Sequence, residues 1–240
     1  MIALLLNSGL GSRMGAETQA HPKCMCRLTD EETIISWQVQ LLRRAGVTDA
    51  VVTTGHLSQM LMDYLTSLHS GLRFHFVHNP RYRETNYLYS MFLARDLLRG
   101  QDVLSLHGDL VLHPDVMDAL VASDKSVMAV DSTLPLPEKD FKALVQDGRI
   151  RRIGVDCFAP GSVACQAAYH YQAADFGRWM DEIERFAAQG NVQCYAENAF
   201  NAISAEIPLY PLECGGKLCA EIDNQEDRAV VCARFRQEVL

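Results

Sequence analysis

A stretch able to hold phosphate stands near the start of this 240-residue chain. The apolar run Ala3-Leu4-Leu5-Leu6 opens into Asn7-Ser8-Gly9-Leu10-Gly11-Ser12-Arg13-Met14-Gly15, and Pro22-Lys23 follows. Gly9, Gly11 and Gly15 lack a Cβ, so the backbone there can take positive φ and turn its N–H groups toward an anion. Arg13 can fork onto two phosphate oxygens, and Lys23 can act as a compact point charge. No Gly-Lys-Ser/Thr follows, so this is not a P-loop, and Gly-x-Gly-x-x-x-Gly misses the dinucleotide fingerprint by one residue. A tight strand-to-helix turn with solvated charges is the plainer alternative.

Three further stretches carry chemistry. His107-Gly108-Asp109 closes a short apolar run, placing a carboxylate where open α/β sheets bind ligands; its hard oxygens suit Mg²⁺, although an ordinary Gly-Asp turn reads the same way. Residues 79–91, Asn-Pro-Arg-Tyr-Arg-Glu-Thr-Asn-Tyr-Leu-Tyr-Ser-Met, offer directional hydrogen bonds to a base or ribose, or else Thr85 caps a helix. Glu197 can receive an ammonium group, or simply favour a helix's first turn, and Tyr169 or Tyr195 can face a cation across a ring.

The elements that must position these groups alternate. Periodicity predicts helices at 33–45, stopped by Gly46, and at 57–68, with apolar residues at 57, 60, 61, 64, 65 and 68. Strands are expected at 49–54, 72–77, 102–106, 126–130 and 165–171, and helices up to 98 and at 115–122, 174–188 and 225–238. Strand and helix in alternation predict an α/β fold, a mostly parallel sheet with helices on both faces. One domain, 1–240, is expected, with an acceptor-side insertion at roughly 132–200.

A net charge of −8 argues against general nucleic-acid binding and toward small-molecule partners. The apolar start, broken at Asn7, is too short for a membrane span or signal core, so a cytoplasmic location is expected. Eight cysteines without Cys-x-x-Cys pairs read as small apolar residues.

Gly-x-Gly-x-Arg-Met followed by Pro-Lys resembles the signature loop of nucleotidyltransferases that join a nucleoside triphosphate to a phosphorylated small molecule. Asn79-Pro80, Thr85-Asn86 and Tyr89-Ser90 resemble, more specifically, the phosphocholine and phosphonate cytidylyltransferases. The resemblance runs from residue 3 to about residue 227. It implies a single Rossmann-like domain in which Asn7, Ser8, Gly9, Gly11 and Ser12 wrap the triphosphate and Arg13 and Lys23 meet the reacting phosphates. Gly55, Thr85, Asn86, Ser90 and His107 would serve the nucleotide. Asp109 and Asp223, the latter in Glu221-Ile222-Asp223-Asn224, would bind Mg²⁺, and Lys142, Tyr169, Glu197 and Asn198 would surround the acceptor.

Residues 135–143, Pro-Leu-Pro-Glu-Lys-Asp-Phe-Lys-Ala, would ordinarily be a surface loop, but they resemble the phosphonate-activating branch, with Lys142 neutralising the acceptor. The phosphocholine branch more often carries a lysine after an Ile-x-x-Ile segment, and Ile150 to Asp156 holds none. The implied activity is CMP transfer from CTP to 2-aminoethylphosphonate or 2-hydroxyethylphosphonate, releasing pyrophosphate. Phosphocholine or a sugar 1-phosphate are alternative acceptors. A glycosyltransferase would more typically show Asp-x-Asp, and a catalytically dead nucleotide-binding regulator is the rival from another class. The expected partners are CTP and the small acceptor, without nucleic acid or membrane, in a monomer or homodimer.

Overall fold

In the computed structural model, which describes residues 1–15 and 17–240, strand and helix alternate through the first half of the chain. In order they are β1 (Ile2–Asn7), a short α1 (Glu17–Ala20), α2 (Ile34–Arg44), β2 (Asp49–Thr54), α3 (Ser58–Ser67), β3 (Arg73–His78), α4 (Tyr87–Leu98), β4 (Val103–His107), β5 (Leu110–Leu112), α5 (Pro114–Ala122) and β6 (Val127–Asp131). The second half adds β7 (Lys142–Gln146), β8 (Arg149–Gly154), β9 (Ser162–Tyr171), α6 (Ala173–Ala188), α7 (Ala196–Ala202), β10 (Tyr210–Glu213), β11 (Cys219–Glu221) and α8 (Gln225–Glu238).

The helices start where the sequence supplies caps. Thr33 and Ser36 form a reciprocal capping box on α2, and Asn224 with Asp227 does the same for α8. Asn86, rather than Thr85, caps α4 by accepting from the Tyr87 N–H.

The main sheet runs β10-β6-β9-β4-β1-β2-β3. All pairs in it are parallel except those of β9, which lies antiparallel between β4 and β6. Residues 132–200 therefore contribute a strand to the centre of the sheet, and the β7–β8 hairpin extends the same sheet as a side branch, β7 pairing antiparallel with the start of β9. A separate ribbon, β5 against β11, was not expected from the sequence.

Side chains alternate across β1: Ile2 and Leu4 join the core under α4 and α6, whereas Ala3 and Leu5 join the one under α2 and α5. A third cluster, including Met14, Leu28, Val111, Ile222 and Phe235, ties the glycine loop to α8. Among the described residues none of the eight cysteines forms a disulfide and all but Cys194 are buried, as their reading as small apolar residues requires. Among the described residues, no helix is long and apolar enough to cross a membrane.

Candidate active site

A cleft of about 400 Å³ opens at the C-terminal ends of β1 and β4. Its floor is the glycine loop. Gly11 sits in the left-handed region at φ +64°, where a Cβ would also come within 3.0 Å of Lys23 Cβ and Thr18 Cγ2. The Thr18 hydroxyl donates to Gly11 O at 3.0 Å, and Met14, buried in the third core cluster, anchors the loop. Gly9, by contrast, has an ordinary φ and open space beside it, so its value is room in the cleft rather than backbone freedom.

Two carboxylates from distant segments meet over this loop. The register of the ribbon pairs Leu110 with Glu221, and the Ile222 N–H donates to Asp109 O at 3.0 Å, so Asp109 and Asp223 end on the same side. Gly108 permits the turn: it donates to Leu6 O at 3.1 Å, and a Cβ there would lie 1.9 Å from Asn7 Oδ1.

The Lys23 ammonium bridges the pair, 2.5 Å from Asp109 Oδ2 and 2.5 Å from Asp223 Oδ1, and Arg13 reaches the other Asp223 oxygen at 2.8 Å. Burial works to lower the Lys23 pKa, but the two carboxylates outweigh it and hold the ammonium above its usual range. Burial likewise works to raise Asp109, and Lys23 and His107 overcome it, keeping the carboxylate ionised.

Glu221 adds a third acidic group. Its Oε1 lies 3.3 Å from His107 Nδ1, an ion-pair distance without the alignment of a formed hydrogen bond. Burial opposes the charged imidazole, yet the Glu221 contact and the Asp109 charge raise its pKa to about 9. Glu221 itself is pushed up by burial and by Asp109, with His107 pulling it back. Ligand atoms of His107, Asp109 and Glu221 all lie within 4.8 Å of one another. Asp109 Oδ1 is buried without a hydrogen-bond partner among the described residues. Converging hard oxygens, two of them without a hydrogen-bond partner among the described residues, fit a divalent cation such as Mg²⁺.

Of the residues expected at the nucleotide, Asn7, Ser8, Gly9, Gly11, Ser12, Thr85, Asn86 and His107 line the cleft with Arg13, Lys23, Asp109 and Asp223. Both amide atoms of Asn7 are buried and unpartnered among the described residues. Ser90 and Gly55 stand behind the wall instead. The Ser90 hydroxyl meets that of Ser8 at 2.7 Å and accepts from Asn79 Nδ2 at 3.0 Å; the same amide donates to Thr85. Gly55 packs so closely that a Cβ would lie 2.3 Å from Ser8 O.

The four acceptor residues expected from the sequence are placed away from the cleft wall. Lys142 is fully buried, and its ammonium donates to Pro137 O at 2.5 Å and Asp140 O at 2.9 Å, clamping the 137–140 turn. Glu197, 1% exposed, accepts from the hydroxyls of Tyr169, at 2.7 Å, and Tyr87. Burial and the Glu197 charge push both tyrosine pKa values far up, so the hydroxyls remain donors. Asn198 is exposed in a different groove, beside Arg81 and Cys194.

The cleft is also lined by Lys139, Phe141, Tyr87, Tyr195 and Glu221. Phe141 meets Tyr195 edge-on at 5.0 Å between centroids, and Tyr87 lies 5.9 Å from Tyr195 and 4.6 Å from the His107 ring. Glu221 had one legible signal, its spacing two residues before Asp223, since alternate residues of an extended segment point the same way.

The model of the MobA-like NTP transferase domain matches residues 3–139. The CMP-5'-(3-aminopropyl)phosphonate synthase of Streptomyces rubellomurinus is 34% identical over 134 residues, 56% of this chain and 21% of that protein. The CTP:phosphoglutamine cytidylyltransferase of Campylobacter jejuni is 30% identical over 139 residues, 55% of this chain and 53% of the relative. This chain thus spans about a fifth of the first relative and half of the second. The choline-phosphate cytidylyltransferase of Streptococcus pneumoniae is 26% identical over 95% of both chains. Among solved structures, the CTP:phosphocholine cytidylyltransferase of S. pneumoniae superposes with a TM-score of 0.74 at 21% identity, covering 97% of this chain and 98% of that one. The inositol-1-phosphate CTP transferase of T. maritima gives 0.80 at 20% identity, covering 100% and 97%. These two likenesses establish the fold.

Proposed function

This chain belongs to the MobA-like NTP transferases, and from that footing we propose that it is a Mg²⁺-dependent cytidylyltransferase that moves CMP from CTP onto a small amine-bearing phosphonate. The observation that carries this reading is the meeting of Asp109 and Asp223 at one lysine ammonium above the glycine loop.

A phosphonate oxygen attacks the α-phosphorus of CTP; the new P–O bond forms as the bond to the β-phosphate oxygen breaks, and pyrophosphate leaves. The nucleophile is already an anion at neutral pH and needs no general base. The obstacle is bringing two anions together, which positioned cations relieve. Asp109 and Asp223 would hold Mg²⁺, which would supply charge neutralisation on the triphosphate. Arg13 and Lys23 reach the same place from the glycine loop and take up phosphate oxygens there. Lys23 must leave at least one carboxylate to do so.

The aromatic wall of Phe141, Tyr87 and Tyr195 beside Glu221 suits an ammonium group, and Lys139 is the lining cation available to a phosphonate. The relative from S. rubellomurinus, named for an aminopropylphosphonate product, supports an acceptor of this class. Phosphocholine is the second reading: the same wall suits a trimethylammonium group, and the choline-phosphate relative aligns along nearly its whole length.

Pyrophosphate release tests this directly, with Mg²⁺ and CTP, UTP, ATP or GTP, each offered 2-aminoethylphosphonate, 2-hydroxyethylphosphonate, phosphocholine or glucose 1-phosphate. Turnover with CTP and 2-aminoethylphosphonate above every other pair is expected. Preference for glucose 1-phosphate overturns the acceptor reading, and preference for another nucleotide overturns the cytidylyl assignment.

A further inference from the structure

Behind the carboxylates, α2 grips the turn that carries one of them. Gln38 is fully buried, and its side-chain amide donates to His107 O at 2.8 Å and to Leu110 O at 2.8 Å, on either side of Gly108-Asp109. Two carbonyls can only accept, so the amide must present its NH₂ group to them. The neighbouring Trp37 donates its indole N–H to Leu112 O at 2.9 Å.

With Asp109 O taken by Ile222 N, three carbonyls of this turn are fixed, those of His107 and Leu110 by Gln38 and that of Asp109 by the residue just before Asp223. The opposite side is closed by Asn7 and Leu6 against Gly108. The Gln38 Oε1 has no partner among the described residues, an unfavourable burial for a group placed only to fill space.

We propose that Gln38 is a positioning residue: its amide sets the separation and aim of Asp109 relative to Asp223, and through them the affinity of the site for a divalent cation. This rests on the metal reading of the two carboxylates given above.

The test is Mn²⁺ binding to the whole chain, followed by electron paramagnetic resonance of the free ion, with melting temperature measured in parallel. Gln38→Met keeps the length and removes both donors. It is expected to weaken Mn²⁺ binding roughly tenfold or more, the loss typical when a partner that orients a metal ligand is removed. The exposed Gln40→Met on the same helix should bind as wild type does. A role confined to packing would lower the melting temperature and leave affinity alone; wild-type affinity in Gln38→Met therefore overturns the inference and spares the metal reading. Wild-type protein that binds Mn²⁺ no better than Asp109→Asn overturns the metal reading, and the inference with it. Should Gln38→Met fail to fold, Trp37→Phe decides. A weakening of roughly threefold, about one net hydrogen bond, supports the clamp, and unchanged binding refutes it.

Discussion

The two ends of the cleft solve different problems. At the glycine loop, Lys23 bridges Asp109 and Asp223 at 2.5 Å and Arg13 reaches Asp223 at 2.8 Å, so each charge is held in place by an opposite one. At the far end, aromatic rings meet at 5.0 to 5.9 Å, and Tyr195 is 40% exposed. Charge in a partly buried place acts steeply with distance, so under the proposed function the first end would govern turnover. Aromatic walls act through shape and desolvation, so under the proposed function the second end would govern the choice of acceptor. Substitutions should divide accordingly: large losses of turnover at one end, shifts of preference at the other.

The largest effect belongs to the carboxylates. Asp109→Asn and Asp223→Asn should each lower the rate of pyrophosphate release at least roughly a hundredfold, since a neutral amide holds Mg²⁺ poorly and uncovers Lys23. Near-normal turnover in either variant removes the metal assignment.

Lys23→Met should also lower turnover, by roughly a hundredfold for a lost charge on the reacting phosphates, yet tighten Mn²⁺ binding to the bare protein. The opposite signs arise because Lys23 competes for the same two carboxylates. Weaker Mn²⁺ binding in this variant would contradict the competition.

At the acceptor end, Glu221→Gln should cut the preference for 2-aminoethylphosphonate over its hydroxyl counterpart by roughly tenfold, through the Michaelis constant of the amine. Glu197→Gln should affect both acceptors alike, because that carboxylate faces two tyrosine hydroxyls. A selective effect from Glu197 and none from Glu221 would reverse their roles.

The lysines give a finer division. Lys142→Met should lower the melting temperature by a few degrees, from a loss of about 1–3 kcal/mol as Pro137 O and Asp140 O lose their donor, with the acceptor Michaelis constant unchanged. Lys139→Ala should raise that constant severalfold at unchanged melting temperature. An exchange of these outcomes returns Lys142 to the acceptor.

The smallest effect is chemical. Iodoacetamide at neutral pH should modify Cys194 first, and slowly, because burial raises its thiol pKa; Cys24, fully buried and held further up by burial and by Cys26, should stay unmodified in the folded protein. Rapid labelling of Cys24 would place the glycine-loop wall in a more open state.

Much of this was legible in the chain. Apolar periodicity located 33–45, 57–68 and 72–77 to within a residue or so, because a 3.6 or 2.0 repeat is a local property. The glycine loop with Arg13 and Lys23 was legible because its members are near neighbours in sequence and a loop's turns follow from its own residue types. Glu197 and Lys142 were misleading for the opposite reason. A charged residue in a promising segment says nothing about which way its side chain points, and here one turns to tyrosine hydroxyls and the other to carbonyls of its own loop.

The residues alone determined an α/β fold with alternating strands and helices, a glycine loop with Arg13 and Lys23 after the first strand, and an acidic turn after Gly108. The tertiary structure alone decided that β9 enters the sheet antiparallel, that Phe141, Tyr87 and Tyr195 face one space, and that Glu221 joins the acidic pair. It also decided that a helix from the first fifth of the chain holds the turn of Asp109. Periodicity fixes which face of an element is buried, but not its partner. The partner is set by register between strands far apart in sequence, and the 114 residues separating Asp109 from Asp223 are closed by the β5–β11 ribbon.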